Sequence, residues 1–235
     1  MRPLVLFDID GTLLLSASAG SRAIEAAFAE EYDDTSFVRT VRFDGKTDPQ
    51  IIRELYSAAG HPERATTARI ATLLERYLTH LERGLAERGH LVRTLPGIVQ
   101  LLDALATRSD AVVGLLTGNI ASGARLKLGA AGIAFNRFAL GAYGSDSAHR
   151  HELPAIAAAR AEPFLGRIPT GASVVILGDT PADVTCGASI GARAVAVATG
   201  SYSVAELNAA GAWRSFDTFA DTEAVLEAVL CSTSN

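Results

Sequence analysis

The sequence predicts an α/β protein: a doubly wound parallel sheet with helices on both faces and a helical module inserted after the first strand. Three observations predict it. Short apolar runs end in acid or glycine, helical spacing fills the intervals between them, and one interval is far too long for a single crossover.

Leu4–Phe7 is a continuous apolar run that ends at Asp8, the form of a strand buried on both faces. Residues 111–116, 174–177 and 194–197 repeat that form. Ile98, Leu101, Leu102 and Leu105 follow the i, i+3, i+4, i+7 spacing of a helix behind Pro96-Gly97. Residues 126–131, 153–161 and 182–190 read as further helices. Ligands of such sheets bind at the carboxyl ends of the strands, and there the sequence places Asp8, Thr117-Gly118-Asn119 and Gly178-Asp179.

A strand–helix–strand unit takes about 30 residues, yet more than three such lengths separate Asp8 from Thr117. The excess reads as nearly all helical. Ile70, Leu73, Leu74, Tyr77, Leu78 and Leu81 make one amphipathic stripe, with two more helices at 24–28 and 51–56. The expected organisation is a core of residues 1–15 and 94–235 with a helical cap domain at 16–93. A lid over the strand ends is the natural role for it; a static extra bundle is the alternative.

Bulk composition narrows the function classes. With 235 residues, 49% of them hydrophobic, there is material for one large domain or a domain plus a module. A formal net charge of −5, with no basic run to offset it, argues against a nucleic-acid partner. No apolar stretch approaches the roughly 20 residues that span a bilayer, which argues against a membrane partner. The opening MRPLVLFDIDGT is cut by two aspartates and does not read as a signal peptide. Only Cys186 and Cys231 occur, so a reducing, cytoplasmic setting is expected. Trp213 reads as packing, and the tail after Leu230 carries no assignable function.

The strongest chemical signal is Asp8-Ile9-Asp10-Gly11-Thr12 after the first strand. Side chains two apart on an extended chain point the same way, so two carboxylates can share one site. Like charges that close repel unless a proton or cation intervenes, and magnesium suits a few carboxylates plus a phosphate. Gly11 lets the backbone turn and bring amides toward an anion. A solvated Asp-Gly turn is the plainer alternative. Gly178-Asp179-Thr180-Pro181-Ala182-Asp183 offers two more acids, although Asp179 would also suit a helix cap. Thr117, Gly118 and Asn119 open a helix and can seat a phosphate, or form an ordinary turn and cap.

Taken in chain order (8–12, 117–119, 178–183), and after buried strands, these three stretches resemble motifs one, two and four of the haloacid dehalogenase superfamily. The likeness spans Leu4 to about Gly200, and the inserted helices resemble that family's C1-type cap. The resemblance implies a Rossmann-like core and Mg²⁺ as cofactor. It implies that Asp8 attacks phosphorus to form an aspartyl-phosphate. Asp10 would be general acid and then base, and Thr117 would hydrogen-bond the phosphoryl group. Asp8, the backbone carbonyl of Asp10 and Asp179 would hold the metal, with Asp183 close by. The family's motif-three lysine has no obvious match. Lys127 sits too early, inside the helix after Thr117, and Arg150 in His149-Arg150-His151-Glu152-Leu153-Pro154 is the expected stand-in.

An acid at Asp10 implies a leaving alkoxide, hence a phosphate ester and not a halide. The loop at 43–48 resembles the substrate-specificity loop of C1 caps, with Lys46 placed to meet an anionic end of the substrate. The expectation is a phosphatase of a small phosphorylated metabolite, phosphoglycolate phosphatase-like, monomeric or homodimeric. A phosphosugar mutase of the β-phosphoglucomutase type is the enzymatic alternative. A phospho-receiver module is the non-enzymatic one, disfavoured by the length, the insert and Asp10.

Overall fold

The computed structural model describes residues 2–108 and 111–231. Eight strands form within them: β1 Leu4–Phe7, β2 Leu14–Leu15, β3 Arg93–Thr94, β4 Val112–Thr117, β5 Leu140–Tyr143, β6 Val174–Gly178, β7 Arg193–Val197 and β8 Arg214–Phe216. Six of them make one parallel sheet in the order β5-β4-β1-β6-β7-β8. All four residues of β1 are buried, as a strand covered on both faces requires. Phe7 pairs with Leu115 on one side and Leu177 on the other, so the next residues along all three strands emerge together at one edge.

Helices α4 Ile98–Ala106, α5 Ala121–Ala130, α6 Leu153–Arg160, α7 Glu162–Leu165, α8 Pro181–Cys186, α9 Val204–Ala209 and α10 Thr222–Leu230 complete this part of the chain, after an insert whose helices precede them. Two apolar clusters cover the two faces of the sheet. Val5, Phe7, Leu115 and Leu177 join α4, α5 and α10 on one side, and Leu4, Leu6, Leu116 and Ile176 join α6 on the other. The alternation along β1 dictates this split, since successive side chains point to opposite faces.

The chain leaves and re-enters the sheet region through a two-stranded antiparallel ribbon, with Leu14 opposite Thr94 and Leu15 opposite Arg93. Between β2 and β3 lie α1 Ala19–Phe28, α2 Asp48–Ala58 and α3 Thr67–Arg88. These have their own core, in which Ile24, Phe28, Ile52, Leu55, Tyr56, Leu73, Tyr77 and Leu81 are almost fully buried. Phe28 is its hub, with ring centroids of Tyr56, Phe37 and Tyr32 at 5.2, 5.5 and 6.0 Å. Just before α1, Ala17 and Ser18 both take left-handed backbone conformations (φ 47° and 60°), a strained entry for residues with a Cβ.

Several elements depart from the expected pattern. The edge strands β5 (Leu-Gly-Ala-Tyr) and β8 (Arg-Ser-Phe) are too short or too mixed to stand out as apolar runs. The 182–190 helix breaks after Cys186 into a short 3₁₀ turn at Ala188–Ile190. Trp213 lies between two guanidinium groups, with Arg193 at 5.0 Å and Arg214 at 4.4 Å. Of the tail after Leu230, residues 232–235 lie outside the described residues. No described helix is long and apolar enough to cross a membrane.

Truncating Phe28 to Ala removes a fully buried ring from the insert's core. We expect a loss of about 3–5 kcal/mol in chemical denaturation, the cost of a large buried cavity; a loss below about 1 kcal/mol would contradict this packing.

Candidate active site

Asp8 follows the last residue of β1, and its N–H donates to the Leu177 carbonyl at 2.9 Å. Its side chain is buried. Thr117 ends β4 and is fully buried, Asp179 follows β6, and Arg150 opens the 3₁₀ turn Arg150–Glu152 before α6. These residues line one cavity of about 240 Å³ together with Asp10, Gly118, Asn119, Lys46 and Lys127. Thus most of the predicted site residues meet there. Gly11 and Asp183 stand immediately behind the wall.

Gly11 adopts φ 80°, and a Cβ there would overlap the Asp179 carboxylate. Glycine is required both for the turn and for the approach. Gly118 is required for a different reason: a Cβ would run into the Lys46 carbonyl, which belongs to the insert. Asp179 does not cap α8. Thr180 is the cap, in a reciprocal box with Asp183 (Asp183 N–H to Thr180 Oγ1 at 3.2 Å, Thr180 N–H to Asp183 Oδ2 at 3.0 Å), which leaves Asp179 to face the cavity.

Asp8, Asp179 and Asp183 each offer an oxygen within 4.8 Å of the others, and all three are buried. Burial pushes the Asp8 carboxyl above the usual range; Asp183 and Asp10 push it further, against the pull of Arg150. Burial likewise raises Asp179, with repulsion from Asp183 and Asp8 added. Arg150 answers part of this charge. Its Nη2 stands 3.3 Å from Asp8 Oδ1 and donates to Asp183 Oδ1. Asp183 Oδ2 is taken by Thr180, whose hydroxyl donates at 2.7 Å. Asp183 therefore serves its neighbours with both oxygens, and Asp8 and Asp179 remain as the pair left to share a further cation. An oxygen-only donor set of this kind fits a hard divalent ion such as Mg²⁺.

Asp10 is held in a different way. Its Oδ2 accepts from Lys127 Nζ at 2.6 Å and from Asn119 Nδ2 at 2.9 Å, and its Oδ1 accepts from Ser16 Oγ at 2.8 Å. Burial opposes ionisation, but the Lys127 charge and these hydrogen bonds outweigh it and hold Asp10 below the usual carboxylate value. Asn119 bridges further, donating to Thr117 Oγ1 at 2.8 Å and accepting from Lys127 at 2.7 Å.

Lys127 is the site residue that sequence position set aside. It is 5% exposed, and Asp10 and Asp48 hold it charged against the cost of burial. One signal could have found it: on α5 the buried face is Gly123, Ala124, Lys127 and Leu128, so a lysine occupies a core-facing helical position behind two small residues. Lys46 lines the cavity but pairs with Glu54 at 2.5 Å.

The loop at 43–48 sits against the sheet region. The Asp48 N–H donates to the Gly118 carbonyl and the Ile120 N–H donates to Asp48 Oδ2, both at 2.8 Å. Thr47 Oγ1 donates to the Ala148 carbonyl at 2.7 Å. The cavity is thus roofed by the insert.

A parallel sheet with helices on both faces and a buried acid cluster at its carboxyl edge defines the protein as a doubly wound α/β protein with its site at the strand tips. The chain belongs to the haloacid dehalogenase-like hydrolase family, whose model matches residues 5–188. No curated protein matches the sequence. Among solved structures it is similar to a hydrolase from Pseudomonas syringae, at 24% identity and TM-score 0.74 over 97% of this chain and 98% of that one. CbbY from Rhodobacter sphaeroides, solved in complex with phosphate, is similar at 22% identity and TM-score 0.70 over 94% and 96%. A predicted phosphoglycolate phosphatase from Haemophilus somnus 129PT is similar at 18% identity and TM-score 0.67 over 95% and 97%. These likenesses establish the fold.

Burial raises the Asp48 carboxyl to about 6 despite Lys127 and the Ile120 N–H. The folded state then binds more protons than the unfolded one between about 4 and 6, so this group's contribution to stability falls as pH rises through that window. Asp48→Asn removes the titration. Its stability relative to wild type should improve by about 2 kcal/mol between pH 4 and pH 7, measured by denaturant unfolding; a pH-independent difference would contradict the assignment.

Proposed function

We propose that the protein is a magnesium-dependent phosphatase that hydrolyses a small phosphate monoester through an aspartyl-phosphate on Asp8. The single observation that carries this reading is the meeting of Asp8, Thr117, Asp179 and Arg150 in one cavity, with a second acid, Asp10, on the same wall. We also infer that residues 16–93 act as a cap domain over a core of 1–15 and 94–235, its loop at 43–48 closing the site to bulk water.

The phosphoryl group would lie against Asp8 and Arg150, with the Thr117 hydroxyl as a donor. A bound Mg²⁺, held by Asp8 and Asp179 and backed by Asp183, would supply charge neutralisation. One Asp8 carboxylate oxygen attacks phosphorus as the ester P–O bond breaks, and the departing alkoxide takes a proton from Asp10. Water then attacks the aspartyl-phosphate and gives its proton to Asp10, which releases inorganic phosphate and restores the Asp8 carboxylate.

Lys127 fits this scheme as the residue that positions Asp10 and tunes it. In the structure as it stands Asp10 is held ionised, the form that accepts a proton from water. An entering phosphate dianion is a like charge beside it and raises its proton affinity, which favours the acid form when the leaving group must be protonated.

Asp8→Asn keeps the shape and removes the nucleophilic charge. Phosphate release from p-nitrophenyl phosphate should fall at least about ten-thousand-fold with the thermal unfolding midpoint preserved; release at the parent rate would refute the nucleophile.

A further inference from the structure

Among the described residues three buried side-chain atoms lack a hydrogen-bond partner, and two of them, Arg150 Nε and Tyr77 Oη, belong to residues lining this cavity. Arg150 Nε lies on the guanidinium beside Asp8, at the phosphoryl end. Tyr77 comes from α3, in the insert, and its ring is fully buried. Its hydroxyl lies 3.8 Å from where a Cβ on Gly20 would stand, and Lys127 Nζ lies 3.2 Å from the same point. A buried hydroxyl with no partner costs stability, so natural structures rarely leave one without a reason. Here the reason is at hand: Tyr77 lines the cavity, with its hydroxyl near Gly20 and Lys127, on the side of Asp10, where an ester's leaving group would sit.

The cations of the cavity decide what that leaving group carries. Lys127 is engaged with Asp10 and Asn119, Arg150 with Asp8 and Asp183, and Lys46 with Glu54. On the leaving-group side the remaining charged side chains that line the cavity, Asp44 and Asp48, are acidic, and Asp44 is paired with Arg42 at 3.0 Å. A second phosphate or a carboxylate on the substrate would enter a site with no uncommitted cation among the described residues that line it, and with the Asp48 carboxyl nearby, a desolvation that nothing repays. A neutral hydroxyl meets no such penalty. It can accept from or donate to Tyr77, and the cavity's size, near the lower limit for small-molecule sites of about 300 Å³, suits a leaving group of a few carbons.

We propose that the substrate is the phosphate monoester of a small neutral polyol or sugar, and that Tyr77 is the residue that recognises a hydroxyl on its leaving group. The proposal rests on the phosphatase reading above and narrows it. It departs from the expectation that Lys46 meets an anionic end, because Glu54 already answers that charge. Tyr77 keeps its proton under these conditions, since burial and the nearby Asp48 and Asp10 push its pKa well above the ordinary tyrosine value.

The test is phosphate release, by full-chain wild type and by Tyr77→Phe, from four esters of similar size. These are glycerol 2-phosphate, propyl phosphate, 2-phosphoglycolate and a three-carbon bisphosphate, with p-nitrophenyl phosphate as a general reporter. Wild type should show kcat/KM at least about tenfold higher for glycerol 2-phosphate than for either competitor that carries a second anionic group, as expected when a second charge must enter unpaired. In Tyr77→Phe the ratio of kcat/KM for glycerol 2-phosphate over propyl phosphate should fall about tenfold, with a thermal midpoint equal to or above wild type. Preference for phosphoglycolate or the bisphosphate would overturn the proposal and leave the phosphatase reading standing. An unchanged ratio in Tyr77→Phe, or a lowered midpoint, would overturn the role of the hydroxyl. No phosphate release from any ester, p-nitrophenyl phosphate included, would overturn both.

Discussion

Too many carboxylates in too small a buried space is the constraint on which the rest of the site depends. Asp8, Asp179 and Asp183 stand within one ion's reach of each other beyond the ends of two neighbouring strands, β1 and β6, and Asp10 follows two residues after Asp8. In a low-dielectric interior such a cluster is unfavourable unless positive charge is brought to it. The fold supplies two built-in cations and divides them. Arg150 serves Asp8 and Asp183, Lys127 serves Asp10, and Asp179 is left with no cationic partner among the described ion pairs. Burial outweighs Arg150 at Asp8, whereas Lys127 and the hydrogen bonds outweigh burial at Asp10, so the two acids that would act on phosphorus and on protons are set apart. One sits in an environment that raises its proton affinity, the other in one that lowers it.

The scaffold serves this arrangement directly. A strand buried on both faces can place an acid at its tip without exposing its own backbone, because the neighbouring strands satisfy it. The pairing of Phe7 with both Leu115 and Leu177 aligns the three tips to within a residue. Glycine then provides what side chains would block. Gly11 admits the Asp179 carboxylate, and Gly118 admits the backbone of the insert's loop. The insert contributes a roof, fixed by Asp48 to Gly118 and Ile120, and it brings Tyr77 to the cavity.

Much of this was legible in the sequence, for a physical reason. Central strands such as Leu4–Phe7 and Val174–Gly178 must be apolar throughout, so they stand out, and the acids that follow them mark the functional edge. The helical stripe from Ile70 to Leu81 was equally plain, although α3 extends to both sides of it, over Thr67–Arg88, with Leu85 continuing the buried stripe one turn further. Edge strands were not legible: β8 is three residues with one arginine, and β5 contains a glycine. Lys127 was missed because its meaning is tertiary. Only the packing of α5 against Asp10, Asn119 and Asp48 turns a helical lysine into a buried cation.

The claim that the strand-tip acids are built to share a divalent ion is tested most directly by calorimetric titration of the metal-free protein with Mg²⁺, alongside Asp179→Asn. Wild type should bind one ion, and the variant should bind it at least about tenfold more weakly, since even outer-sphere partners of a metal are worth that much. Equal affinity in the two proteins, or no binding to wild type at millimolar Mg²⁺, would contradict it.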